Sequence, residues 1–220
     1  MAQAPDAQKR SIARVTTPPY WEGAARELAE RDQVLSKLTG RYPGLVMGSR
    51  GDAFSTLARA IVGQQISVKA AQSIWDRLLT EAKAMSPANI GALELERLRS
   101  CGLSGPKCAY LTDLAQRFDS GVLDPARWTD VDDESLIAEL TQVKGIGRWT
   151  AEMFLIFYMA RPDVLPLDDI GLQRAMSLHY NAGRPLSKLK MRKIGGRWSP
   201  WRSVATWYLW RSLDPLPVQY

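Results

Sequence analysis

Helical spacing of apolar residues dominates this chain, and the apolar–polar alternation that is typical of strands is nearly absent. The segment 24–38 places Leu28, Val34, Leu35 and Leu38 on one side of a helix. Further short helices are predicted over 52–62, 66–79, 90–99, 106–118 and 133–140, with a typical helix start at residues 86–88. The sequence therefore predicts an all-α fold, a compact bundle of many short helices in two lobes with a cleft.

The length of 220 residues suits one large domain or two small lobes. Residues 1–17 lack apolar periodicity and are predicted to form a flexible N-terminal arm, so the folded domain is expected to cover 18–220. The longest apolar run, 153–160, is too short to span a bilayer, and the first ten residues lack an apolar signal region. We expect no membrane partner, and a cytoplasmic protein, or a nuclear one in a eukaryote.

The net charge of +6 and the pI near 9.4 fit either a surplus of surface lysine and arginine or a polyanionic partner. Cys101 and Cys108 are the cysteines, and His179 is the single histidine. This set is too small for a zinc site or a four-cysteine iron–sulfur cluster. We therefore expect two buried thiols in a reducing compartment, no iron–sulfur cluster, and a structural role for the histidine.

A glycine pair lies inside the stretch LTQVKGIGRWTAEMFLIFYM, residues 140–159. Gly145 and Gly147 permit a tight turn between two helices and remove side chains, so that another backbone can approach. The N–H groups of the turn and of the first helical turn, through Thr150, would be unpaired and would attract an anion such as a DNA phosphate. Lys144 and Arg148 add positive charge beside them. The sequence thus predicts a phosphate-binding helix-hairpin-helix.

Two adjacent aspartates, Asp168 and Asp169, follow the break at Arg161-Pro162 and precede another helix. Helix capping is the ordinary role for both, and we assign it to Asp168. Neighbouring residues at a helix start do not face the same way, so only one carboxylate could serve a reaction. A single fixed carboxylate in a cleft could stabilise positive charge developing on a sugar.

The hairpin followed by a Gly/Pro stretch and an aspartate resembles the helix-hairpin-helix superfamily of DNA glycosylases. Three further stretches resemble its alkylation-repair branch, 3-methyladenine DNA glycosylase II: AIVGQQISVKAAQSIWDRL (60–78), LRSCGLSGPKCAYLTDLA (98–115) and WSPWRSVATWYLWR (198–211). The resemblance covers roughly residues 20–213. It matches the compact form, without the N-terminal β domain of larger bacterial members.

This resemblance implies a monofunctional glycosylase of base excision repair. The enzyme would act as a monomer on double-stranded DNA, hydrolyse the N-glycosidic bond of flipped-out alkylated bases such as 3-methyladenine and 7-methylguanine, and leave an abasic site without a catalytic cofactor. It also implies that Asp169, before Ile-Gly-Leu, is catalytic. Bifunctional relatives have a nucleophilic lysine where this chain has Trp149, so no lyase activity is expected. The alternative is a non-catalytic helix-hairpin-helix DNA-binding protein.

The resemblance also places Trp149, Met153 and Trp210 at the wall of the base pocket, where indole faces could stack on a cationic alkylated purine. The acidic residue at 169 together with the two tryptophans favours the enzyme over the binding protein. Other tryptophans are expected in the core: Trp75, Trp128 and Trp207.

The stretch GQQIS is expected to fill the gap that a flipped nucleotide leaves in the duplex. By resemblance Gln65 takes the wedge position with Gln64 beside it, and Ser67 and Lys69 could hold nearby phosphates. The basic segment 187–198 is either a solvated face or a non-specific phosphate contact. The resemblance further implies a structural Na+ or K+ held by hairpin carbonyls, which here are those of Thr141, Val143 and Ile146.

Overall fold

The computed structural model describes residues 17–44, 47 and 51–213, and within these residues the chain is helical with no strand. The predicted all-α class is confirmed. The predicted N-terminal arm, apart from Thr17, lies outside the described residues. The helices are α1 (Trp21–Arg31), α2 (Gln33–Arg41), α3 (Ala53–Gly63), α4 (Val68–Ala82), α5 (Pro87–Gly91), α6 (Leu95–Ser100), α7 (Gly105–Asp119), α8 (Asp133–Leu140), α9 (Arg148–Phe157), α10 (Ile170–Tyr180), α11 (Lys188–Gly195) and α12 (Arg202–Leu213), with 3₁₀ turns at Pro125–Asp130 and Gly196–Trp198.

The prediction of one helix over 24–38 is wrong, because Asp32 divides it. Asp32 has extended backbone angles, and its Oδ1 accepts hydrogen bonds from the N–H groups of Val34 at 2.9 Å and Leu35 at 3.2 Å. It thereby ends α1 and caps α2. The apolar pattern continues from α1 into α2, so periodicity alone does not show that the helix is divided at Asp32.

The predicted helix over 90–99 is likewise two helices, α5 and α6, separated by residues 92–94. The start predicted for α4 moves from residue 66 to Val68, since Ser67 caps the helix. The helix predicted over 133–140 has those bounds in the structure. The arrangement of short capped helices was therefore predictable, whereas two of the divisions were not.

The helices form two groups. Helices α1 and α2 pack against α12, which also packs against α10, so the two ends of the described chain lie together. Helices α3, α5 and α6 pack against α7, and α3 also contacts α4 and α9. The chain passes from α9 in the second group to α10 in the first, so the starts of these two helices lie where the groups meet.

The aromatic core includes the three tryptophans predicted to be structural, since Trp75, Trp128 and Trp207 are all buried. Trp128 packs edge-to-face between Phe118 and Phe154, with ring centroids 6.0 and 5.5 Å apart. Such pairs add to the free energy gained by burying the rings. The predicted pair of thiols is confirmed, since Cys101 and Cys108 are free and buried.

Within the described ranges, none of the helices combines the length and the apolar character needed to cross a membrane.

Replacing Asp32 should destabilise the fold more than replacing an exposed capping residue. Asp32 is buried, and its carboxylate also accepts hydrogen bonds from Tyr180 Oη at 3.0 Å and Trp198 Nε1 at 3.4 Å. We expect Asp32→Ala to lower the free energy of unfolding by about 2–4 kcal/mol, because the helix cap is lost together with the acceptor of the hydrogen bonds from Tyr180 and Trp198. The exposed cap Asp52 of α3 is the matched control, and Asp52→Ala should cost about 1 kcal/mol. Equal shifts in the two denaturation midpoints would contradict this.

Candidate active site

Asp169 is the N-cap of α10, and its Oδ1 accepts the N–H of Leu172 at 2.6 Å. Asp168 does not cap the helix, so that prediction is wrong. Its carboxylate instead forms an exposed ion pair with Lys188. The cap fixes the orientation of Asp169, whose residue surface is only 7% exposed.

Two indole N–H groups complete the surroundings of this carboxylate. Trp210 Nε1 on α12 donates to Asp169 Oδ1 at 2.7 Å, and Trp149 Nε1 at the start of α9 donates to Oδ2 at 2.9 Å. An ionised carboxylate has about four acceptor positions, so the three donors leave about one free for another group. The three donors come from three helices, which places Asp169 at the junction of the two helix groups.

Gly171 allows this close approach. A Cβ added there would lie 3.1 Å from both Asp169 Oδ1 and Trp210 Cδ1, closer than side chains normally pack. Phe157 stacks on Trp210 with ring centroids 5.7 Å apart and an angle of 14°, which fixes the indole plane. Sequence analysis assigned no role to either residue, although Gly171 lies in the Ile-Gly-Leu motif.

The three residues predicted for the pocket wall differ in exposure. Trp149 is 41% exposed and can offer a ring face to a ligand, while Met153, one turn later on α9, is only 7% exposed. Trp210 is half-buried, and one of its faces is covered by Phe157. The structure therefore brings both indoles to Asp169 by their N–H edges, an arrangement that sequence analysis missed. Ile170, beside Asp169, is strongly exposed and adds an apolar rim.

The hairpin turn, residues 141–147, joins α8 to α9. Gly145 has φ +83°, and a Cβ there would lie 2.6 Å from Tyr110 Cγ on α7, so this glycine is needed for both its backbone and its packing. Gly147 has φ −89° with open space around it. Within the described part of the chain, the N–H groups of Gly145 and Gly147 have no hydrogen-bond acceptor. Ile146, between the two glycines, is buried.

The guanidinium of Arg148 is paired with carboxylates of the protein itself. Arg148 forms a fork with Glu134, at 2.9 and 2.5 Å, and its Nε donates to Glu152 Oε1 at 2.9 Å. The hydrogen bond from Arg148 lowers the pKa of Glu134, and the same bond raises the pKa of Arg148. Burial raises the pKa of Glu152, although Arg148 opposes the shift. A phosphate contact by Arg148 would have to compete with these carboxylates.

Lys144 and Thr150 can offer a phosphate different groups. The N–H of Lys144 donates to Asp113 Oδ2 on α7 at 3.0 Å, so its exposed side chain is the part that faces outward. The side chain of Thr150 is buried, so only its main-chain N–H, in the first turn of α9, belongs to the expected phosphate site. The structure thus places backbone donors, more than side chains, at the turn.

The wedge loop, residues 64–67, follows α3. Gln65 is exposed and has φ +57°, an uncommon conformation for a residue other than glycine. Gln64 points differently, because its Nε2 donates to the carbonyl of Gly145 in the hairpin at 2.7 Å. Ser67 uses its hydroxyl to cap α4, and Lys69 is exposed. Of the two glutamines, only Gln65 therefore has a side chain available for a wedge.

The remaining predictions concern the hairpin carbonyls, the basic segment and His179. The carbonyl of Val143 accepts a hydrogen bond from the N–H of Ile146 at 3.1 Å, while those of Thr141 and Ile146 accept none from the described residues. Within the basic segment, Lys190, Arg192 and Lys193 on α11 are exposed. His179 contacts Ser212 Oγ at 2.8 Å, which supports its structural role. No cluster of potential metal-ligating side chains occurs in the ranges described.

Comparison with known proteins gives consistent matches. A model of the HhH-GPD superfamily of base excision DNA repair proteins matches residues 58–200. DNA-3-methyladenine glycosylase 1 of Schizosaccharomyces pombe is 33% identical over 189 residues, which are 84% of this chain and 83% of the relative. The crystal structure of a DNA-3-methyladenine glycosidase from Bacillus halodurans has a TM-score of 0.82 at 30% identity and covers 91% of this chain and 93% of that one. A Schizosaccharomyces pombe 3-methyladenine DNA glycosylase in complex with abasic DNA has a TM-score of 0.74 at 30% identity, covering 90% and 99%.

The two hairpin glycines should respond differently to substitution. We expect Gly145→Ala to lower the free energy of unfolding by about 2–4 kcal/mol, because it adds left-handed strain and a clash with Tyr110. Gly147→Ala meets open space and should change it by no more than about 1 kcal/mol, the scale of a helix-cap effect. Chemical denaturation of both variants measures the difference. If Gly145→Ala were as stable as Gly147→Ala, the turn would not depend on this glycine.

Proposed function

The chain belongs to the HhH-GPD superfamily of base excision DNA repair proteins and is a DNA glycosylase, and from that premise we propose that it is a monofunctional hydrolase of alkylated bases. Its substrates would be 3-methyladenine, 7-methylguanine and similar bases in double-stranded DNA. The observation that carries the proposal is the buried carboxylate of Asp169, fixed by two indole N–H groups where the two helix groups meet.

The chemistry follows from charge. When the N-glycosidic bond breaks, the electron pair leaves with the base and positive charge develops on the deoxyribose. A preoriented carboxylate stabilises that charge without reorganising. Asp169 would be such a group, and its free acceptor position can hold the attacking water. The water oxygen bonds to the sugar carbon that the base leaves, one proton stays in the hydroxyl of the abasic product, and the other passes to the carboxylate or to solvent. The indole donors fix both oxygens and keep the carboxylate in one orientation.

Recognition of the base would depend on its positive charge. The exposed ring of Trp149 offers a face on which a cationic methylpurine can stack, an interaction of about 0.5–2 kcal/mol. The face of Trp210 opposite Phe157 would provide the second wall. Alkylated purines are already labile at the glycosidic bond, so modest stacking together with one carboxylate is sufficient to select and release them.

The enzyme would cleave only the N-glycosidic bond and would not cut the DNA strand. A lyase needs an amine that attacks the sugar, and the residue of α9 that reaches Asp169 is Trp149. Within the described residues, the hydrogen-bond donors to Asp169 are two indoles and a main-chain amide, not an amine. The product would therefore be an intact strand with an abasic site.

DNA binding would use the hairpin and the basic α11. The unpaired N–H groups of Gly145 and Gly147 and the start of α9 suit a phosphate, and the exposed Lys144 and Lys69 add positive charge. The exposed basic residues of α11 would add non-specific phosphate contacts. The carbonyls of Thr141, Val143 and Ile146 would hold a Na+ or K+ there, an arrangement that fits because two of them are free to coordinate. We propose that the protein acts as a monomer wherever the DNA of its cell lies, in the cytoplasm or the nucleus.

The proposal is tested by incubating the protein with methylated duplex DNA, measuring released bases by chromatography, and treating the strand with and without alkali. Free methylpurines with strand breaks only after alkali are expected. Asp169→Asn should bind the same duplex at least as tightly, since a negative charge near phosphate is lost, but should release bases about 10²-fold more slowly or worse. Comparable release by the variant would show that Asp169 is not catalytic, and breaks without alkali would show a lyase.

Gly171→Ala should slow base release without destabilising the fold. Alanine favours the helix by about 0.5–1 kcal/mol over glycine, so α10 should not unfold. The new Cβ nevertheless pushes against Asp169 Oδ1 and Trp210, and we expect base release to slow about tenfold, because small displacements of a catalytic group are costly. Gly23→Ala in α1 meets no neighbour within 4 Å and is the control, with unchanged release. Equal rates for the two variants would exclude a tight fit at Gly171.

A further inference from the structure

Helix α7 carries three side chains, spaced three residues apart, that contact either the wedge loop or the hairpin turn. Lys107 binds the wedge loop, Tyr110 packs on Gly145 of the hairpin, and Asp113 accepts the N–H of Lys144. This spacing forms a stripe along one side of a helix, about 9 Å long at 1.5 Å per residue. One rigid element thus contacts both the wedge loop and the phosphate-binding turn.

Lys107 closes the C-terminal end of α3. Its Nζ donates to the carbonyls of Val62 at 2.8 Å and Gln64 at 2.7 Å, the last of which belongs to the wedge loop. Such carbonyls lack partners inside the helix and carry the negative end of its dipole, so an ammonium group suits the position. Partial burial lowers the pKa of the Lys107 ammonium group, while its two carbonyl acceptors hold it in place.

The residue after this anchor is Gln65, the exposed candidate for the wedge. Its φ of +57° is strained for a glutamine, so the conformation persists only where its surroundings impose it. The anchored carbonyl of Gln64 is the group that joins it to Gln65 through the peptide bond. Lys107 therefore acts on the backbone that sets the direction of the Gln65 side chain.

A second connection closes a ring. Gln64 Nε2 donates to the carbonyl of Gly145, whose Cα lies against the ring of Tyr110, and Tyr110 is on the same stripe of α7 as Lys107. The ring runs from Lys107 to Gln64, across to Gly145, and back through Tyr110. In a closed ring of this kind, the wedge loop cannot shift relative to the hairpin without breaking a contact.

We propose that α7 is a positioning element that fixes the wedge relative to the phosphate anchor, with Lys107 and Gln64 as positioning residues that act through Gln65. This inference rests on the proposed function, because it assigns Gln65 to the gap left by a flipped base. The anchor holds a phosphate of the backbone while the wedge enters the stack at a fixed offset. The consequence is preference for a lesion over intact duplex, more than affinity for DNA in general.

Lys107→Met tests this, because it keeps the aliphatic stem and removes the ammonium group. The readouts are Kd for a duplex with a tetrahydrofuran abasic analogue and Kd for the matched undamaged duplex. We expect the ratio of the two to fall about tenfold, as for the loss of a charged hydrogen bond, with the undamaged Kd changed less than twofold. Lys37→Met, on the exposed side of α2, is the control for losing one positive charge.

A double-mutant cycle with Gln65→Ala distinguishes positioning from plain structural support. If Lys107 acts through Gln65, Lys107→Met should reduce lesion preference no further in the Gln65→Ala background. Full additivity, or an equal loss of affinity for both duplexes, would overturn the proposal.

A second variant is used if Lys107→Met strongly lowers the denaturation midpoint. Gln64→Met removes the hydrogen bond from Gln64 Nε2 to the carbonyl of Gly145, and it must give the same non-additive loss of lesion preference. Base release by the wild-type protein is measured in parallel, so that failure of the glycosylase activity is distinguished from failure of the positioning role.

Discussion

The carboxylate of Asp169 is the point on which the site depends. A buried charge is stable only when it is hydrogen-bonded, and here the donors come from the starts of α9 and α10 and from α12. Because α12 also packs against α1 and α2, the indole of Trp210 joins Asp169 to the first helix group. The indole of Trp149 joins it to the hairpin of the second group. The surroundings of this carboxylate therefore combine side chains from both helix groups.

In the hairpin, the charge of Arg148 is paired with carboxylates of the protein, while the backbone N–H groups of the two glycines have no acceptor among the described residues. Arg148 is held between Glu134 and Glu152, so it braces α8 against α9 and is largely neutralised. Backbone N–H groups remain to meet an anion, and their positions are fixed by the turn. Such donors bind any phosphate regardless of sequence, which suits an enzyme that must examine DNA of every sequence.

Sequence patterns predicted this fold well because helix caps and apolar periodicity are local. They failed where geometry in three dimensions decides. Asp32 looked like one polar residue in an apolar pattern, but its buried carboxylate divides the helix with help from Tyr180 and Trp198, which are remote in sequence. Asp169 was predicted from its motif, whereas the indole edges that hold it come from residues 20 and 41 positions away. Spacing along a chain does not show which edge of a ring faces a carboxylate.

Two glycines allow side chains from other helices to pack closely against the hairpin and against the start of α10. At Gly145 the ring of Tyr110 occupies the space of a Cβ, and at Gly171 the pair of Asp169 and Trp210 does. In each case the missing side chain lets another helix approach closely, at the hairpin turn and at the start of α10. Only Gly145 has a left-handed backbone, so conformational freedom explains one position and close approach explains both. Helix α7 connects these features, because the side chains that contact the hairpin lie on the same side of α7 as Lys107. Through Lys107, the same helix also holds the carbonyl of Gln64 in the wedge loop.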